Sequence, residues 1–191
     1  MTKVLLVNND SDTWRELVET AHEAGFEVTT IGCRDMNHHS ADGFDAVVLS
    51  GGWWYDDEIR HLEVYKGELE FLRTTDTPTL GICVGMQLMQ LAHSGQIQLL
   101  DKPQHDVQTI DVASAGQLLL GWPKQVKVHK NHTMGALVAA PEFEVLASSP
   151  GHIEMIKHQV KPLLGVQFHP EVGERKARAA MLRQLVGRRL G

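Results

Sequence analysis

In the first half of the chain, continuous apolar runs alternate with stretches whose apolar residues recur every three or four positions. Lys3–Asn8 (KVLLVN) is an unbroken run of the kind buried on both faces of a parallel sheet. Trp14, Leu17, Val18, Ala21 and Ala24 then repeat at helical spacing, with Ser11 or Asp12 placed to cap the helix and Gly25 to end it. Phe26–Ile31 and Asp45–Ser50 read as a second and a third strand. A helix is expected from about Asp57 to Arg73, closed by the polar linker TTDTP. Thr79–Ile82 reads as a fourth strand, and Met86, Leu88, Met89, Leu91 and Ala92 continue as a helix.

The second half changes character. Segments near Val107–Val112, Gln117–Leu120, Gln125–His129, Phe143–Ala147, His152–Lys157 and Leu163–Phe168 are short and separated by turn residues. Many alternate apolar with polar, which predicts antiparallel strands added to a parallel core. A last helix is expected from Gly173 to about Arg188. The whole pattern predicts an α/β fold: a central, mostly parallel sheet with helices on both faces, plus a small antiparallel strand set. The 191 residues carry no repeat and no low-complexity stretch, and suit one domain over 1–191.

Composition narrows the classes of function. Apolar residues make up 42% and charged residues 22%, as in a globular chain. A net charge of −6 argues against nucleic-acid binding, which uses a basic stripe. No apolar run is long enough to predict a membrane helix, and MTKVLLVNND reads as a strand rather than a leader peptide. Two cysteines, Cys33 and Cys83, without an export signal fit reduced thiols in the cytoplasm. Eleven histidines are many, yet His38-His39 and the His129/His132 pair lack the cysteine or carboxylate partners of a zinc site. No metal and no other cofactor is expected.

Cys83 lies where the fourth strand meets its helix, between Gly81 and Gly85. That is the placement of a nucleophile elbow, in which a sharp strand-to-helix turn lifts a side chain above the sheet edge. The helix N-terminus there favours a thiolate. On the elbow alone, a small buried structural cysteine is the competing reading. A nucleophile also needs a base, and the base an orienting group. LLGVQFHPEV supplies both: the Leu163–Phe168 strand delivers His169 at the same sheet edge, and Pro170 keeps the backbone extended. Glu171, two residues on, faces the same way and reaches the imidazole. Ser50-Gly51-Gly52 ends the third strand, and the Gly52 amide, with that of Val84, can serve as an oxyanion hole.

Together these segments resemble the class I (triad-type) glutamine amidotransferase family. GICVGMQ fits its G-x-C-x-G-x-Q elbow, GVQFHPEV its late His-Pro-Glu segment and LSGG its oxyanion loop. The resemblance implies Cys83 as nucleophile, His169 and Glu171 as its partners, and the Gly52 and Val84 amides as oxyanion donors. It implies Gly51, Gln87 and the KNHTMG segment, with Asn131, His132 and Met134, as the binding site for L-glutamine. It further implies ammonia delivery to a separate synthetase or synthase subunit, with LSGG, IEMIKH and GVQFHPEV closest to the GMP synthetase type. The alternatives are a γ-glutamyl hydrolase or peptidase on the same scaffold, a stress-type cysteine protein, and a non-catalytic regulatory module. One departure stands out. Where many members carry a glycine-proline-rich turn, Gly52 is followed by Trp53-Trp54-Tyr55-Asp56-Asp57, a cover for the site or an anchor for a partner.

Overall fold

The apolar runs become the strands of one nine-stranded sheet, ordered β2-β1-β3-β4-β9-β8-β7-β5-β6. The computed structural model describes residues 1–37, 39–53 and 59–187. The parallel half comprises β1 (Lys3–Asn9), β2 (Glu27–Gly32), β3 (Ala46–Gly52), β4 (Thr79–Ile82) and β9 (Leu163–Val166). Val4–Val7, Ala46–Leu49 and Leu163–Val166 are almost wholly removed from solvent, as expected for strands covered on both faces. The covering helices are α1 (Trp14–Glu23), α2 (Lys66–Thr74), α3 (Val84–Ala92) and, at the end of the chain, α5 (Arg175–Gly187).

β9 is the seam between the two halves. It runs parallel to β4 and antiparallel to β8 (His152–His158). Beyond β8 lie β7 (Phe143–Ser149), β5 (Gln98–Val112) and β6 (Gln125–Gly135), each antiparallel to its neighbour. β5 and β6 form a long ribbon with β6 at the edge of the sheet.

The strand expected over Gln125–His129 runs on to Gly135. α1 is preceded by Thr13, without a side-chain capping bond, where Ser11 or Asp12 is expected to cap. Four further expectations need correction. Gln117–Leu120 is not a strand: it lies in α4 (Ser114–Leu120), whose C-terminal Gly121 takes the left-handed conformation at φ +66°. The short apolar run QLLL carries no period that separates a strand from a helix turn. The expected 57–73 helix is a 3₁₀ stretch over Ile59–Tyr65 followed by α2, and its first two positions lie outside the described residues. The strand expected from Val107 begins nine residues earlier, at Gln98. The last helix begins at Arg175 rather than Gly173 and runs to Gly187; Arg188 lies outside the described residues.

Candidate active site

The carboxyl ends of β1, β3, β4 and β9 open into one crevice, the place where parallel α/β sheets put ligands. Cys83 sits between β4 and α3 with φ +50° and ψ −102°. This is a conformation an L-residue holds only when its surroundings enforce it, at a cost of about 1–3 kcal/mol. The flanking glycines do not supply the turn; they allow α3 to close onto the sheet. A Cβ on Gly81 would lie 2.5 Å from the Gly85 carbonyl carbon, and one on Gly85 would lie 2.6 Å from the Leu49 oxygen. The strain of the elbow therefore falls on Cys83 itself.

β9 delivers the other two groups. His169 donates its amide to the His129 oxygen at 2.8 Å, and its Nδ1 lies 2.7 Å from Glu171 Oε1. Both residues are buried. Burial disfavours the imidazolium, but the Glu171 carboxylate and interactions with Cys83 outweigh it and hold His169 well above the ordinary imidazole value. Burial likewise works against the Glu171 charge, while His169 and a Thr13 hydrogen bond bring its carboxyl below the usual range. His169 Nε2 is buried and makes no fully formed hydrogen bond among the described residues, although it interacts electrostatically with the Cys83 thiol. Such loose geometry is usual before substrate arrives.

Gly51 and Gly52 close the wall facing the thiol. A Cβ on Gly51 would lie 2.9 Å from His169 Cε1 and 3.5 Å from Cys83 Cβ. One on Gly52 would lie 2.1 Å from the Asn9 oxygen. Both positions admit only glycine without displacing neighbours. Behind them, Asn9 donates its amide to Ser50 Oγ (2.9 Å) and its Nδ2 to the Ser50 oxygen (3.1 Å) and Glu68 Oε2 (3.3 Å). Val84 is the first residue of α3, so its amide has no carbonyl one turn back within the helix.

The opposite wall is β6. Gln87, Asn131, His132, Thr133 and Met134 line the crevice with Cys83 and His169. Gln87 Nε2 donates to the Met134 oxygen (2.8 Å) and to Gln167 Oε1 (3.1 Å), so its amide nitrogen is tied to the protein. The Met134 oxygen also accepts from His132 Nδ1 at 2.9 Å. Burial lowers His132 to about 4, so it stands as a neutral imidazole. Asn131 Oδ1 meets His105 Nδ1 at 3.1 Å. Trp53 lines the mouth and is 45% exposed. Trp54, Tyr55, Asp56 and Asp57 of the aromatic loop lie outside the described residues, as does His38.

A family model for class-I glutamine amidotransferases matches residues 5–187. The chain belongs to that family. It is 33% identical over 171 residues to a glutamine-hydrolysing GMP synthase subunit from Pyrococcus furiosus, covering 89% of this chain and 87% of that one. It is 30% identical over 171 residues to the protein of the same name from Thermoplasma volcanium, covering 89% and 83%. The crystal structure of a candidate GMP synthase subunit from Thermoplasma acidophilum superposes with a TM-score of 0.86 at 24% identity, covering 98% of this chain and 93% of that one. The expected fold and enzyme class of this amidotransferase therefore stand.

Sequence reasoning misses three contributors to the amidotransferase site. It gives Ser11 only a capping role and Thr13 none, yet both line the crevice, and Thr13 Oγ1 donates to Glu171 Oε1 at 2.6 Å. A signal for them exists, since NNDSDT leaves a buried strand at its carboxyl end. His105 escapes notice because its strand begins earlier than the alternation suggests.

A second group of titratable side chains sits at the other edge of the sheet, where α3 ends. His93, Glu142 and His158 bring ligand-type atoms within 4.8 Å of one another. His158 Nδ1 accepts the Val160 and Lys161 amides, both at 3.0 Å. Its lone pair is thus spent and Nε2 carries the hydrogen, a tautomer that cannot ligate a metal. The group is held as a His93–Glu142 contact of 2.5 Å packed against the His158 and Phe143 rings.

Proposed function

We propose that the chain hydrolyses the side-chain amide of L-glutamine through a γ-glutamyl thioester on Cys83. The ammonia then passes to a separate synthetase subunit, of which the GMP synthetase type is the favoured one. The observation that carries the reading is the strained Cys83 at a helix N-terminus beside the buried His169–Glu171 pair. The partner assignment is supported by the relatives named as GMP synthase subunits. In this reading residues 1–191 act as one amidotransferase domain, in the cytoplasm, with both thiols reduced and no cofactor. Among the described residues both cysteines are free, and no helix is long and apolar enough to cross a membrane.

The mechanism follows from the proton inventory. The Cys83 proton passes to His169, whose Nδ1–H is held by Glu171, and the thiolate attacks the carboxamide carbon. The Gly52 and Val84 amides receive the developing oxyanion. Imidazolium Nε2–H protonates the departing nitrogen, the C–N bond breaks, and ammonia leaves. Neutral His169 then takes a proton from water as its oxygen attacks the thioester; the C–S bond breaks and glutamate is released. Gly51, Gln87, Asn131, His132 and Met134 shape the glutamine pocket. Because the Gln87 amide nitrogen and the Met134 oxygen are engaged with the protein, they set the pocket wall, and the substrate meets what they position.

The test is glutamate release from glutamine, by the chain alone and in the presence of its synthetase partner. Cys83→Ala should abolish release in both. Activity that survives the substitution would overturn the mechanism. Efficient cleavage of γ-glutamyl peptides without any partner would favour the hydrolase reading instead.

A further inference from the structure

The Glu171 carboxylate has a second mount that the proposed reaction leaves unused. Oε1 accepts hydrogen bonds from two directions, His169 Nδ1 at 2.7 Å and Thr13 Oγ1 at 2.6 Å. A carboxylate cannot donate, so the single hydroxyl hydrogen of Thr13 is committed to Oε1. The 3.0 Å contact between Ser11 Oγ and Thr13 Oγ1 must then be donated by Ser11. Ser11 Oγ in turn accepts the Thr13 amide at 3.3 Å, and the Ser11 amide donates to Asn8 Oδ1 at 3.3 Å. The donors thus run in one direction, from Ser11 through Thr13 to Glu171.

The local geometry of α1 agrees. Thr13 is the residue just before the helix, the place where a threonine side chain usually caps, yet it makes no capping bond. Forgoing that bond costs about 1 kcal/mol. Seven residues on, two turns along the same helix face, Thr20 Oγ1 reaches the Glu171 main-chain oxygen at 3.5 Å. One face of α1 therefore meets Glu171 at both its side chain and its backbone. Ser11 also lies 3.5 Å from where a Gly51 Cβ would stand, so the same loop touches the wall facing the thiol.

We infer that the Ser11–Thr13 hydroxyl chain is a positioning device that holds the Glu171 carboxylate in line with His169 Nδ1. The β1–α1 loop is then a working arm of the site, alongside the segments bearing Cys83, Gly52 and His169. The inference rests on the proposed Cys83–His169–Glu171 chemistry. Thr13 Oγ1 also lies 3.5 Å from His169 Nδ1, on the ring nitrogen turned away from the thiol, so Thr13 acts on the Glu171–His169 pair and makes and breaks no bond itself.

Thr13→Val keeps the shape and removes the hydroxyl; Thr13→Ser keeps the hydroxyl. With glutamine as substrate, and the synthetase partner present, Thr13→Val should lower kcat about 10- to 100-fold, the range for losing a hydrogen bond to a charged group, with KM changed less than about twofold. Thr13→Ser should recover to within about threefold of the parent. The acid limb of the kcat profile should rise by about one pH unit in Thr13→Val only, because Glu171 loses a donor that favours its charged form. The ¹³C titration of the Glu171 carboxyl, followed without substrate, should show the same rise. Equal kcat and an unshifted limb in Thr13→Val, beside a parent that needs Cys83, would overturn the inference and leave the proposed reaction standing. Should the parent be inactive, the proposed reaction fails, and an unshifted carboxyl titration would overturn the inference separately. An equal loss in Thr13→Val and Thr13→Ser would also overturn it.

Discussion

Replacing Glu68 by glutamine should make the protein more stable as the pH rises. Glu68 is fully buried on α2, touched by Asn9 Nδ2 at 3.3 Å, and its Oε1 has no hydrogen-bond partner among the described residues. Burial drives its carboxyl up to about 8, with the Asn9 hydrogen bond opposing only in part. Between the ordinary carboxyl value of 4.5 and about 8, the folded chain keeps a proton that the unfolded chain has released. The folded state binds more protons there, so stability falls with rising pH, by about 1.36 kcal/mol per unit, and levels off above the folded value. From about pH 5 to about pH 8 the loss comes to between about 3 and 4 kcal/mol. Glutamine does not ionise, so Glu68→Gln should match the parent near pH 5 and exceed it by that amount near pH 8. At about 2–4 °C per kcal/mol for a chain of this size, the melting temperatures should diverge by roughly 10 °C. Urea or thermal unfolding of both proteins, at unit steps across that range, gives the comparison. All other titrating groups are common to the pair, so the difference isolates Glu68. A gap that stays constant to within about 1 kcal/mol across that range would refute the reasoning.

Two further substitutions test the frame around the crevice. Gly52→Ala places a Cβ 2.1 Å from the Asn9 oxygen, so the ends of β1 and β3 must part. The cost should be about 1–3 kcal/mol in urea unfolding, with a drop in glutamate release; a variant as stable and active as its parent would show that the loop yields freely. Glu154→Gln strands the Lys130 ammonium, which is wholly buried against Glu154 and lies 3.0 Å from Ser149 Oγ. Losing one member of such a pair should cost about 3–5 kcal/mol, seen as a lower urea midpoint at unchanged slope; a loss under about 1 kcal/mol would contradict that burial.

What can be read from the sequence is whatever is written locally. The elbow cysteine, the His-Pro-Glu segment and the Gly-Gly turn each occupy a few adjacent residues at a strand end, so pattern alone finds them. The parallel strands are equally plain, because burial on both faces leaves unbroken apolar runs. The Thr13–Glu171 contact joins residues 158 positions apart, and the Lys130–Glu154 pair joins strands that are not neighbours in the sheet. No local pattern announces either one. α4 is misread for a different reason: QLLL is too short for its period to distinguish a helix from a strand.

The crevice is anchored unequally on its two sides. Cys83, Gly51, His169 and Glu171 stand on strands locked between neighbours in the buried half of the sheet, or just beyond their ends. Asn131, His132 and Met134 stand on β6, which among the described residues has a partner on one side only. In the reaction proposed above, the chemistry and the shape of the pocket therefore have separate foundations. Under that proposal, substitutions along the ribbon should retune what the pocket admits without disturbing the core that reacts, whereas a change of reaction would have to be made in the more deeply buried half of the sheet.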